Sequence, residues 1–166
     1  MIRREILKPD GISFLSHRPE QAGSQEFIAS KDSWFRPTIL KTGPDGALWI
    51  ADFYRLVLEH PEWIPDDVEQ KLKLRSGSDR GRLYRVYPTT STPRDIPKLS
   101  NKTIPELVAA LDSPNGWKRD TAQQILVNQN DQSTVTYLEA LLRKTKNPKA
   151  VLHALYTLDG INKISK

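Results

Sequence analysis

At 166 residues, with 37% hydrophobic and 27% charged side chains, the chain has the composition of a folded protein, long enough for one ordinary domain or two small units. Its net charge of +5 does not gather into a basic face, since residues 1–98 hold 16 basic and 14 acidic side chains and residues 99–166 hold 9 and 6; nucleic acid is therefore not the expected partner. The absence of cysteine excludes disulfides, thiolate metal sites and covalent haem attachment within these residues, and the lack of an apolar leader or an 18-residue apolar run predicts neither an export signal nor a membrane span here.

Short apolar runs punctuated by Gly, Pro and Asp come first. Ile12 to Leu15 reads as a strand. Thr38 to Lys41 and Ala47 to Asp52 flank Gly43-Pro44-Asp45-Gly46, where proline presets a turn and Asp-Gly accepts positive φ, so a β-hairpin is expected. Pro65 to Leu74 suggests a short helix or turn, and the alternation in Arg82 to Tyr87 a further strand. Three or four strands are too few to close a barrel or a sandwich.

Near residue 90 the spacing of apolar residues changes from two to three and four, the period of one helical face. The intervening Pro88 to Lys102 is rich in proline and hydroxyl residues and reads as a linker. The expected division is 1–88 as β-structure, 89–102 as linker and 103–166 as helices, an α+β order of antiparallel strands followed by a helical array. Thr103 and Glu106 fit a capping box at the first helix. Further helices are expected over Trp117 to Asn128, from Ser133 or Thr134 to Arg143, and from Pro148 to just before Gly160. Leu107, Ala110 and Leu111 recur 31 residues later as Leu138, Leu141 and Leu142, while Asn115, Ala122 and Leu126 recur 32 residues later as Asn147, Ala154 and Leu158. Two copies of one helical pair are the pattern of an α-solenoid.

Six stretches, in order, carry a family resemblance: WFRP (34–37), GPDGALWIADFYR (43–55), EHPEWIP (59–65), GSDRGRLYRV (77–86), NGWKRDTAQQIL (115–126) and HALYTLDG (153–160). Together they resemble part of the secreted, PVC-type haem-binding or membrane-bound dehydrogenase-like proteins of planctomycetes and verrucomicrobia. The resemblance implies a β-propeller similar to sugar and sorbosone dehydrogenases, then HEAT-like repeats, then a cytochrome c domain carrying haem c. This chain would be the terminal propeller blade and about two helical pairs of a periplasmic or secreted parent. Its partners would be the remaining blades and the cytochrome domain, or a protein docked on the repeats. No cofactor is expected on this chain itself, with Ca²⁺ or a quinone left open at the propeller; whether the parent oxidises a substrate rests on fold-level analogy.

Within that frame Asp52, ending the second hairpin strand, could face a propeller channel and bind Ca²⁺ or a substrate hydroxyl; the structural alternative is a carboxylate serving the amides of the next turn. Arg55 and His60 complete a candidate catalytic group. Glu59 is not expected to touch His60, because neighbours on an extended segment point opposite ways and Pro61 holds His60 extended. Arg80 and Arg82, in the loop before the last strand, offer forks of donors for an anion or substrate, or for nearby acids. Trp34, Trp49 and Trp63 are expected in the core, and His153 in helix packing.

Overall fold

The computed structural model describes residues 1–92 and 94–163; Pro93, within the expected linker, and residues 164–166, at the end of the expected helical region, lie outside the described residues. The chain is mixed α+β, with antiparallel sheets followed by helices, and divides into two compact units. One comprises Met1–Lys41 with Trp49–Arg85, the other Thr42–Leu48 with the described residues from Val86 onward. Among the described residues the strands form a two-stranded and a three-stranded sheet, not a closed barrel.

In the first unit β1 (Ile6–Asp10) pairs antiparallel with β2 (Ser13–His17), from Ile6 opposite His17 to Asp10 opposite Ser13. Gly11, at φ +58°, allows the two-residue turn between them. Ile12, expected inside a strand, is instead the exposed second turn residue, and the strand begins one residue later. The partner strand Ile-Leu-Lys-Pro-Asp was not anticipated because its proline and charges break an apolar pattern; a two-stranded ribbon tolerates both, having only edges.

The three-stranded sheet runs in the order β3 (Pro37–Thr42), β4 (Leu48–Asp52), β5 (Arg82–Val86). Alternation sends Ile50 and Asp52 to one face, where both are buried, and Asp52 meets Tyr84 of β5 there. The opposite face carries Trp49, with the Arg85 guanidinium 5.7 Å from its ring centre. Ile39, Leu40 and Leu83 of this sheet remain exposed. Over 65–74, where a short helix or turn is expected, the structure has both: α1 (Asp66–Glu69), after which the chain continues through turns such as Ser76 N–H to Lys73 carbonyl. Its one sizeable apolar residue, Val68, is exposed, and without tertiary packing a helical turn this short does not propagate.

The second unit is built on α2 (Ile104–Ala110), α3 (Gly116–Gln129), α4 (Thr134–Lys144) and α5 (Pro148–Gly160). Glu106 accepts both the amide and the hydroxyl of Thr103 at 2.9 Å, closing the first turn of α2. Asn130 at φ +46° ends α3 in the left-handed region. Helix α2 packs on α3 and α4, and α5 packs on α3 and α4. At some of the recurring positions the two pairs agree: Leu107 and Leu138 are fully buried, as are Ala122 and Ala154, and Asn115 and Asn147 precede the first turns of α3 and α5, whereas Leu111 is fully buried and Leu142 only partly. Aliphatic side chains from all four helices, with Leu99 and Ile161, form one core.

The hairpin tip belongs to this helical unit. Gly43 N–H donates to the Ala47 carbonyl at 2.9 Å, Asp45 accepts the Ala47 amide at 3.1 Å, and Gly46 takes φ +83°. Asn115 then donates to the Gly43 and Pro44 carbonyls at 3.0 and 3.2 Å.

Candidate functional site

The end of β4 gathers three of the candidate residues. Asp52, Arg55 and Arg82 line a groove of about 320 Å³ in the first unit, together with Thr38, Phe53, Ser78 and Leu83. His60 and Arg80 are not among its lining residues.

Asp52 is 3% exposed. Its Oδ1 accepts the Arg36 amide at 2.7 Å and the Tyr54 amide at 3.0 Å. The second bond closes a turn two residues long, the geometry in which aspartate holds a left-handed residue, and Tyr54 indeed lies at φ +50°. Oδ2 faces the Tyr84 hydroxyl, which donates over a long 3.5 Å. One carboxylate thus fastens β4 to the segment before β3 and sets the turn that follows.

A chain of contacts continues outward from it. Arg82 donates to the Tyr84 oxygen at 3.1 Å, lies 3.8 Å from the centre of the Tyr54 ring, and stands 3.6 Å from Asp32. Hydrogen bonding to Tyr84, first, and then the nearby Tyr84, Tyr54 and Asp32 raise the Arg82 pKa despite some desolvation. The Asp32 carboxyl is held below its usual range, first by the Trp34 amide that donates to it at 3.0 Å and also by Tyr54 and Arg82. Trp34 completes the cluster against Tyr54, ring centres 5.6 Å apart. Gly77, at φ +87°, passes so close that a Cβ there would overlap the Tyr54 carbonyl oxygen. Arg82 is therefore occupied by the protein's own groups.

Arg55 is the groove cation with donors to offer. Its guanidinium lies 4.6 Å from the Phe53 ring centre, and among the described residues it makes no ion pair. The groove can hold an anionic group at Arg55, and Asp52, the carboxylate among its lining residues, is turned to two amides and a hydroxyl.

His60 lies elsewhere. Its Nδ1 accepts the Glu62 amide at 3.4 Å at the head of a one-turn 3₁₀ helix, Pro61–Trp63, and its ring lies 6.2 Å from that of Trp63. Glu59 turns back to accept the Leu58 amide at 3.2 Å. Arg80 is exposed, 3.9 Å from Asp79, and its amide closes a turn to the Gly77 carbonyl. Trp63, expected in the core, is 82% exposed: the 3₁₀ turn that places it packs few residues above it. His153 does sit between helices, 2.6 Å from Gln123 and 3.7 Å from Asp120, and its pKa is lowered, chiefly by burial and then by Arg119.

Among the described residues no group of three or more His, Cys, Asp and Glu is arranged to hold a metal. Asp52 does not fit a Ca²⁺ ligand, since its oxygens are buried and turned to amides and a hydroxyl. Haem c has no attachment cysteine in this chain. A second concavity of about 280 Å³, lined by Arg3, Arg4, Arg18 and Glu26, had no signal in the sequence; Arg18 bonds Glu26 there at 2.7 Å.

Residues 1–90 match the family described as a domain of unknown function, DUF7133. The chain belongs to the DUF7133 family. The DUF7133 match takes in all five strands and ends before the first of the helices α2 to α5. No curated protein and no solved structure matches the chain. Among the described residues no helix is long and apolar enough to cross a membrane.

Proposed function

We propose that this chain is a structural section of a larger extracytoplasmic, dehydrogenase-like redox protein and carries no catalytic group of its own. Its β3-β4-β5 meander serves as a propeller blade and its helices as HEAT-like repeats. The haem c implied by the family resemblance, and a Ca²⁺ ion or quinone at the propeller, belong to parts of the parent outside these residues. Its partners are the remaining blades and the cytochrome domain.

The observation that carries this reading is the pair of short amide bonds to Asp52, which make the best-placed acid a fastening of the sheet. The exposed Ile39, Leu40 and Leu83 support it, because a blade leaves apolar area for its neighbours to cover. The test is substrate oxidation by the parent protein with Arg55→Ala, His60→Ala and Asp52→Asn introduced one at a time. Turnover within about twofold of wild type is expected. A fall of more than about tenfold, some 1.4 kcal/mol of barrier, in a variant whose melting temperature is unchanged would overturn the reading.

A second reading, a non-catalytic protein-interaction module, is favoured by the apolar side chains that α5 leaves in solvent, Leu152, Leu155 and Tyr156.

A further inference from the structure

The contact between α3 and α5 has a counterpart in the exposed stripe on α5. Helix α3 seats α5 through three side chains spaced along one face. Gln123 meets His153 at 2.6 Å, Asp120 lies 3.7 Å from His153, and Val127 lies against Gly160, where an added Cβ would come within 2.8 Å of it. The 32-residue repeat carries these positions onto Leu155, Leu152 and Asp159. On α5 the same stripe is not covered: Leu152 is 53% and Tyr156 59% exposed, with Leu155 exposed between them. The positions that join the first pair to the second are thus repeated, in more apolar form, on the far side of the second.

We propose that this face docks a third helical pair of the same pattern, supplied from outside the 166 residues. The chemistry specifies the occupant. Where α5 offers His153 to the polar Gln123 and Asp120, the incoming helix offers an aliphatic side chain to Leu155 and Leu152. Where α5 offers Gly160 to Val127, the incoming helix offers a small residue to Asp159. Leu152, Leu155 and Tyr156, at i, i+3 and i+4 on α5, form an exposed apolar strip of the kind that one helix of a neighbouring pair covers. The proposal rests on reading the two helical pairs as repeats.

The test uses the chain with a copy of residues 132–163 joined after Lys163 in place of the last three residues, carrying His153→Leu in the copy. With no native cysteine to interfere, two engineered pairs report proximity: Gln123→Cys with His153→Cys at the existing contact, and Leu155→Cys with the copy's His153→Cys at the proposed one. Both are expected to cross-link. The extended chain without cysteines is expected to stay monomeric and melt several degrees higher than the original, a gain lost when Leu152→Gln and Leu155→Gln are combined in its first copy. Cross-linking of the existing pair alone would overturn the docking face and leave the repeat reading standing. Failure of both would overturn the repeat reading and the proposal with it. A dimer of the original chain that Leu155→Gln dissolves would assign the face to a second copy, against the proposal.

Discussion

The Asn115 side chain donates to the Gly43 carbonyl across 3.0 Å, tying the tip of a β-hairpin to the start of a helix seventy-two residues later in the chain. Asn147, thirty-two residues later and likewise just before a helix, donates at 2.8 Å to Asp112, just past the end of α2. The hairpin tip therefore occupies, for the first pair, the place that the end of α2 occupies for the second. The Gly43 to Gly46 turn meets Asn115 with two backbone carbonyls, those of Gly43 and Pro44.

Replacing Asn115 with Ala removes both bonds and is expected to cost about 1–2 kcal/mol. Hydrogen exchange locates the loss: the Gly46 and Ala47 amides, which hold the turn through Gly43 and Asp45, exchange faster while amides in α4 keep their order of protection. Unchanged exchange at Gly46 would show that the turn stands without Asn115.

Gly77→Ala places a methyl group against the Tyr54 carbonyl at a backbone φ of +87°. Both the contact and the conformation are unfavourable, so a loss of about 2 kcal/mol or more is expected in denaturant unfolding. Gly11→Ala, equally left-handed but with nothing within 4 Å of the new Cβ, is expected to lose about 1 kcal/mol. Equal losses would mean that Tyr54 moves aside without cost.

Glu106 titrates low, at about 2, because Lys102 bonds its carboxylate at 2.7 Å and the Thr103 amide and hydroxyl add to it. A carboxyl depressed from 4.5 stabilises the fold fully above that value and loses its contribution as pH falls towards about 2. Stability measured from pH 6 to pH 2 should fall less steeply in Glu106→Gln than in wild type, the two curves converging at the acid end. Parallel curves would show that the carboxylate is not held in solution.

The sequence disclosed what is local. The hairpin turn, the capping pair Thr103 and Glu106, and the bounds of α3, α4 and α5 to within a residue or two follow from turn chemistry and helical period, which act over a few residues. What it hid is contact at a distance. Nothing near Asp32 marks it as the partner of Arg82, fifty residues on, and nothing near Tyr84 says that its hydroxyl meets Asp52. The separation of Glu59 from His60 was legible from Pro61, whereas the exposure of Trp63 was not, because a large ring says only that burial would be favourable. Of the candidate groove, the residues were legible one by one; that Asp52 is spent and Arg55 is not emerges only from their neighbours.

The most direct measurement is the unfolding free energy of Asp52→Ala beside Asp52→Asn. If the carboxylate is a fastening, Ala strands the part-buried Arg36 amide and the buried Tyr54 amide and costs about 2–4 kcal/mol, while Asn, which keeps an acceptor oxygen, retains at least half of that stability. If Asp52→Ala unfolds within about 0.5 kcal/mol of wild type, the carboxylate is not part of the architecture and the account of this chain as a scaffold is contradicted.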